Sequence, residues 1–131
     1  MKFNFKQIII ILAVLVTAIL HISAAFDKVL FPQAPDVLFT LNGLGYLGLL
    51  GAYFLPIKFF QDRHKLVWQV LFGYTILTIV AWLVIWVGFS VIRDGQPFFG
   101  YDSIYGIPAK ITEIILLWSL SKDKPQWSYR R

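Results

Sequence analysis

The sequence predicts an all-α membrane protein, a bundle of four transmembrane helices that forms a single domain over residues 1–131. Of these residues, 58% are hydrophobic and only 15% are charged, a composition far from that of a soluble domain. Most charges lie between four apolar runs, and each run is long enough to cross about 30 Å of hydrocarbon as a helix.

The first predicted helix covers about residues 7–25 and follows the basic residues Lys2 and Lys6. Residues 1–26 also resemble a secretory signal peptide, with Ser23, Ala24 and Ala25 as a small-residue cleavage site. We interpret the segment as a retained helix, because the loop charges balance best with four spans.

The second predicted helix covers about residues 37–55 and ends before Pro56. Its glycine-rich sequence LNGLGYLGLLGA places four residues on one stripe: Asn42, Gly45, Gly48 and Ala52. Small side chains let a neighbouring helix approach closely. We therefore expect Gly45, Gly48 and Ala52 to form a helix-packing face.

The third and fourth predicted helices cover about residues 66–92 and 104–121. The third is about 40 Å long if it is helical throughout, so it must tilt or protrude. The fourth contains Pro108, which leaves two alternatives. Either the helix begins near Ile104 and bends at Pro108, or residues 104–107 form an irregular segment before it.

The loop charges predict that both termini are cytoplasmic. One side, with the termini and the loop after the second helix, has nine basic and two acidic residues, and the other has two basic and four acidic residues. Lysine and arginine concentrate on the cytoplasmic side of membrane proteins. This asymmetry explains the net charge of +5 without a nucleic-acid partner.

Lys110 and Glu113 are opposite charges inside the last apolar run, three residues apart on one helix face. A charge at the centre of a membrane helix costs about 2.5–3.5 kcal/mol, so we expect the two to neutralise each other. The predicted topology puts His21 and Asn42 at a similar depth in the outer half of the bundle. We therefore predict a polar cluster of these four residues.

Two interpretations of this cluster remain open. In the first, a cavity open to the outer side lets Glu113 exchange a proton or pair with a cationic ligand, while His21 titrates near neutral pH. In the second, the charged pair fixes helix register and binds nothing. His21 could also ligate haem or chlorophyll, but no second ligand or motif accompanies it, so we predict no cofactor.

The sequence contains no catalytic motif. The absence of cysteine excludes disulfides, thiol chemistry and cysteine-ligated metals. There is no Walker loop, dinucleotide fingerprint, nucleophile elbow or HExxH sequence. We therefore predict no catalytic residue, no metal site and no enzymatic activity.

Two functions are consistent with these features. The leading hypothesis is an accessory or structural subunit of a membrane assembly or homo-oligomer, with the lipid bilayer and other membrane subunits as its partners. It is motivated by the small size and the glycine face. The alternative is a small carrier or sensor that uses Glu113, Lys110, His21 and Asn42 for a proton or a small solute.

Three segments resemble small uncharacterised four-helix membrane proteins of archaea and bacteria. They are AILHISAA in the first helix, LNGLGYLGLLG in the second and YGIPAKITEIILLWSL in the last. The resemblance implies a prokaryotic plasma membrane as the location, and it implies no chemistry.

Overall fold

The computed structural model describes residues 2–32, 35–101 and 103–124, and over these residues the chain is helical and contains no strand. The all-α prediction is therefore confirmed. The α-helices are α1 (Phe5–Ala25), α2 (Val37–Phe54), α3 (Lys58–Gln61), α4 (His64–Trp82) and α5 (Ser103–Lys122). A π-helical segment, Leu83–Arg93, extends α4. The orientation prediction also counts Asp102, Arg130 and Arg131, which lie outside the described residues.

Four helical segments in the described ranges are long and apolar enough to cross a membrane. They are Phe5–Ala25, Val37–Phe54, His64–Arg93 and Ser103–Lys122. Both ends of each segment lie within three residues of the predicted ends. α1 begins two residues earlier than predicted because of a capping box. The Asn4 side chain accepts from Gln7 N at 2.9 Å, and the Gln7 side chain accepts from Asn4 N at 3.1 Å.

The long predicted third helix consists of two helical forms. The α4 helix ends at Trp82, and the next eleven residues are π-helical. Asp94 N–H donates to Phe89 O at 3.0 Å, a bond that spans five residues as a π-helix requires. This segment packs against no other described element than α4, so packing with the rest of the bundle does not impose its form.

α5 begins at Ser103, close to the predicted start near Ile104, and contains Pro108 in its interior. The Ser103 hydroxyl donates to Gly100 O at 2.8 Å and accepts from Gly100 N at 3.0 Å, which ties the first residue of the helix to the preceding turn. Pro108 lies in the second turn of α5. Residues 104–107 are helical, so the alternative of an irregular segment before the helix is wrong.

The four long helices form a closed ring in the order α1, α2, α4, α5, with α3 as a single turn between α2 and α4. α1 packs most extensively, against α2 on one side and α5 on the other. Fully buried apolar side chains from all four helices fill the centre: Ile10, Val14, Ala18, Tyr46, Leu71, Leu116 and Leu120.

The glycines of α2 differ from the prediction. A Cβ atom on Gly43 would lie 2.6 Å from Ile22 Cγ1 and 3.0 Å from Ala18 O, so this glycine is where the α1 backbone comes closest. A Cβ on Gly45 would lie 2.7 Å from the Tyr74 hydroxyl, whereas Gly48 has open space around it. The α1 backbone therefore lies closest to α2 at Gly43, while Gly45 lies against the Tyr74 side chain of α4. Ala52 packs against the core.

Large apolar side chains cover the outside of the ring. Each long helix contributes several, for example Leu12 on α1, Leu38 on α2, Leu77 on α4 and Ile114 on α5. A soluble protein rarely exposes so much contiguous apolar surface. The surface instead has the composition that a helix bundle presents to hydrocarbon.

Candidate functional site

Three of the predicted site residues meet where α1 and α5 pack together. Lys110 Nζ lies 2.5 Å from Glu113 Oε2, and His21 Nε2 lies 3.8 Å from Glu113 Oε1. Glu113 is fully buried, and Lys110 and His21 are nearly so. The carboxyl group of Glu113 therefore lies between a lysine of its own helix and a histidine of the neighbouring helix.

Hydrogen bonding fixes the tautomer of His21. Its Nδ1 lies 2.8 Å from Thr17 O, and because a carbonyl oxygen only accepts, Nδ1 must carry a hydrogen. In the neutral ring Nε2 then has a lone pair, which faces Glu113 Oε1. Among the described residues, Oε1 has no hydrogen-bond partner. Two acceptors thus face each other, and a single proton on either atom would convert their repulsion into attraction.

Lys110 links the cluster to the opposite wall of the ring. Its Nζ also donates to Thr78 O of α4 at 3.4 Å. The Thr78 hydroxyl lies 2.8 Å from the Tyr46 hydroxyl of α2, and the Tyr46 ring is centred 6.0 Å from the His21 ring. All four long helices therefore contribute a group to the surroundings of Glu113.

Asn42 lies apart from the other three predicted residues. Its Oδ1 accepts from the Tyr74 hydroxyl at 2.5 Å, and the same hydroxyl is 3.3 Å from Asn42 O. Within the described ranges Asn42 makes no hydrogen bond to His21, Lys110 or Glu113. Its amide instead ties α2 to α4 across the ring.

A cavity of about 640 Å³ joins these groups. His21, Asn42 and Lys110 lie in its wall, while Glu113 lies behind Lys110. The rest of the wall is mostly apolar, with contributions from the four long helices, the π-helical segment and the loop after α1: Leu20, Phe31, Leu38, Phe39, Leu77, Trp82, Ile85, Trp86 and Ala109. Sequence reasoning placed the polar residues at one depth but did not identify this aromatic wall.

Trp86 is a site residue that sequence reasoning did not identify. Its indole Nε1 is buried and has no hydrogen-bond partner in the described part of the chain. Tryptophan normally finds a partner for this group when it is buried. The residue lines the cavity, so its N–H is a donor that an occupant could satisfy.

Hydrogen bonds from Tyr101 and Tyr105 to Asp27 connect the loop after α1 to the start of α5, beside this cavity. We call these three residues the Asp27 latch. Asp27 Oδ2 accepts from the Tyr105 hydroxyl at 2.7 Å and from the Tyr101 hydroxyl at 2.8 Å. The hydrogen bond from Tyr105, with others from Tyr101 and backbone N–H groups, lowers the pKa of Asp27 below its usual range. The Tyr101 hydroxyl donates to the same carboxylate, and this hydrogen bond raises the pKa of Tyr101. Tyr105 also lines the cavity, so the latch connects its wall to the loop after α1.

The described residues offer little for a metal or a macrocycle. They contain no group of three or more histidine, aspartate or glutamate residues that could hold a metal ion. Both ring nitrogens of His21 face protein oxygens, Thr17 O and Glu113 Oε1, which leaves neither free to ligate iron or magnesium without rearrangement.

Comparison with known proteins identifies a family. A family model described as a family of unknown function (DUF7475) matches residues 3–120, which is most of the chain. No curated protein and no solved structure matches the chain significantly.

Replacement of Lys110 with methionine should leave the buried Glu113 carboxylate without its counter-charge. Removing one partner of a buried ion pair typically lowers the free energy of unfolding by about 3–5 kcal/mol. The Lys110→Met/Glu113→Gln double variant removes both charges and should recover most of that loss. Unfolding by SDS titration in mild detergent measures both effects. Additive effects of the two single substitutions would contradict the pairing.

Proposed function

We propose that this chain, which belongs to the DUF7475 family, is an integral membrane protein that binds a small molecule in its cavity and exchanges a proton there. The observation that carries the proposal is the pair of facing acceptors, His21 Nε2 and Glu113 Oε1, at 3.8 Å. A protein that only needed a neutral ion pair would not require His21 to face the carboxylate.

The membrane location is supported by the four long apolar helices and by the apolar outer surface. Loop charges favour cytoplasmic termini, which would place the Asp27 latch and the nearby end of the cavity on the outer side. We further propose a prokaryotic plasma membrane, in line with the sequence resemblance.

The groups around His21 explain why a proton would be held at this point. Tyr46 faces it from α2, Tyr74 lies behind Tyr46 on α4, and Lys110 and Glu113 face it from α5. Lys110 already neutralises the Glu113 carboxylate. A proton on either His21 or Glu113 therefore makes the cluster cationic, and its loss makes the cluster neutral. A ligand in contact with Lys110 and His21 would bind these two states with different affinities, as a carrier or sensor requires.

An accessory subunit is the second candidate function. In the apolar window of the α4 and π-helical span only 6% of the residues are buried, against 44% in the window of α1. A partner subunit or a second copy of the chain would bury this face. Pigment binding is less well supported, because both nitrogens of His21 face protein oxygens.

The proposed orientation can be tested with single cysteines, since the natural chain has none. Gln61→Cys lies at the end of α3, the single turn between α2 and α4, and Gln96→Cys lies in the loop before α5; both positions are exposed. In intact cells a membrane-impermeant maleimide should label Gln96→Cys only, and permeabilisation should make Gln61→Cys reactive. The reverse pattern would overturn the orientation.

The proposed proton exchange can be tested by infrared difference spectroscopy of the purified protein between about pH 4 and pH 9, where carboxyl and imidazole groups titrate. We expect a carboxyl signal that changes with pH and disappears in Glu113→Gln. His21→Phe removes the facing acceptor and should shift the pH at which the signal changes. Asp123→Asn, at the other end of α5, is the matched control and should leave it unchanged. The proton proposal fails if Glu113→Gln and His21→Phe both match the wild type.

The accessory-subunit candidate predicts that the protein leaves its native membrane in mild detergent as part of a larger particle. Val84→Trp on the π-helical segment should reduce the particle mass, because it would disturb a partner on that face. Ile19→Trp, on the exposed side of α1, is the matched control and should not. Native mass measurement decides: a lone monomer in every sample argues against this candidate.

A further inference from the structure

We propose that the ligand of this cavity is a long-chain carboxylate, with its head group at Lys110 and Trp86 and its acyl chain along the apolar wall. The inference rests on the proposed function, because it names the class of molecule that the same cavity binds. Three properties of the cavity lead to it: its opening, its hydrogen-bond donors and its charge.

The cavity opens through the side of the bundle. Leu38, Leu77 and Ile85 line it, and they are also 77%, 63% and 62% exposed on the outer surface. They belong to α2, α4 and the π-helical segment, so the opening lies between α2 and the long third span. A molecule that enters here comes from the apolar phase around the protein, which favours an amphipathic ligand over a water-soluble one.

The size and lining of the cavity suit one acyl chain. Ligand cavities commonly measure roughly 300–1,000 Å³ and have mainly apolar walls with a few polar groups. At about 640 Å³ this cavity is within that range. Its apolar residues extend from the side opening to the buried polar wall. A chain can therefore lie with its methyl end near Leu38 and its head group at Lys110.

Three polar side chains in the cavity wall, those of Trp86, Lys110 and Asn42, have hydrogen-bond donors for an occupant. Trp86 Nε1 has no partner in the described residues. Lys110 Nζ has one short bond, to Glu113, and a longer one to Thr78 O. The Asn42 oxygen is already bonded by Tyr74, which leaves the amide nitrogen to donate. A head group that accepts several hydrogen bonds fits this arrangement.

The charge of the polar wall favours an anion. Lys110 and His21 line the cavity, whereas Glu113 lies behind them. A proton on either His21 or Glu113 would give the three residues a net charge of +1, and without it the Lys110 ammonium is still the charged group of the three that lines the cavity. Asp36 is the acidic residue in the lining, and its carboxylate lies at the start of α2, where it accepts from Phe39 N–H at 2.8 Å. A carboxylate head would thus pair with the Lys110 ammonium, whereas Asp36 lies at the N-terminal end of α2.

The test measures tryptophan quenching by a dibrominated C18 fatty acid and by its methyl ester, with the protein in lipid nanodiscs. Trp82 and Trp86 line the cavity and report on the occupant. We expect saturable quenching by the acid with at least 10-fold higher affinity than by the ester. Trp82→Phe/Trp86→Phe should abolish the saturable part, and the exposed Trp118 accounts for quenching from the surrounding lipid.

Charge variants test the head-group site. Lys110→Met/Glu113→Gln, which keeps the pair neutral, should abolish the preference for acid over ester, and Lys110→Arg should retain it. Lys122→Met, at the end of α5, is the matched control and should behave like the wild type. Circular dichroism should show equal helix content in all variants.

The outcomes separate this inference from the proposed function. Equal affinity for acid and ester, with the saturable quenching by both lost in Trp82→Phe/Trp86→Phe, would overturn the proposal of a carboxylate head group. It would leave a lipid-binding cavity in place. An acid preference that persists in Lys110→Met/Glu113→Gln would overturn the assignment of the head group to Lys110. Absence of saturable quenching by either ligand would overturn the inference entirely, and the infrared titration of Glu113 would still decide the proton exchange independently.

Discussion

The buried pair of Lys110 and Glu113 is the constraint on which the rest of the bundle depends. A carboxylate with no exposed surface in an apolar protein must be paired and enclosed, because each uncompensated charge would cost several kcal/mol. The enclosure comes mainly from α1, which packs most extensively and supplies His21. A hydrogen bond of 2.7 Å between Thr17 of α1 and Thr112 of α5 holds the two helices together at the same level. The tightest packing thus lies where the charges are.

The opposite side of the ring is held by a few specific contacts. α4 reaches α2 through the Tyr74–Asn42 hydrogen bond, and it reaches α5 where Trp82 occupies the space left open by Gly106. A Cβ atom on Gly106 would lie 2.8 Å from Trp82 Nε1, so the glycine is required for this approach. Between these contacts α4 does not pack closely against α2 and α5, and the cavity lies in the space between them. Dense packing around the charges and open packing around α4 are therefore two parts of one arrangement.

The sequence predicted those features that depend on distance along the chain. Helix boundaries follow from apolar length and caps, and the shared depth of His21, Lys110 and Glu113 follows from their distance to the helix ends. Features that depend on helix rotation were not predictable in this way. Asn42 faces Tyr74 rather than Glu113, and the close contact of α2 lies at Gly43 rather than at Gly48. Because α2 and α4 are apolar on nearly every side, their sequences hold little information about which face turns inward. The π-helical form of Leu83–Arg93 and the place of Trp86 in the cavity wall were not predicted either.

Because the cavity opens to the side at Leu38, Leu77 and Ile85, its occupancy depends on the concentration of ligand in the surrounding apolar phase. A molecule that arrives through the opening is counted by its mole fraction among the surrounding lipids and not by its amount in water. Partitioning into the bilayer raises the local abundance of an amphiphile by orders of magnitude, since each buried methylene contributes about 0.8 kcal/mol. Modest contacts with Lys110 and Trp86 would then suffice for occupancy. Selectivity among lipids, more than raw affinity, becomes the property that the polar wall has to provide.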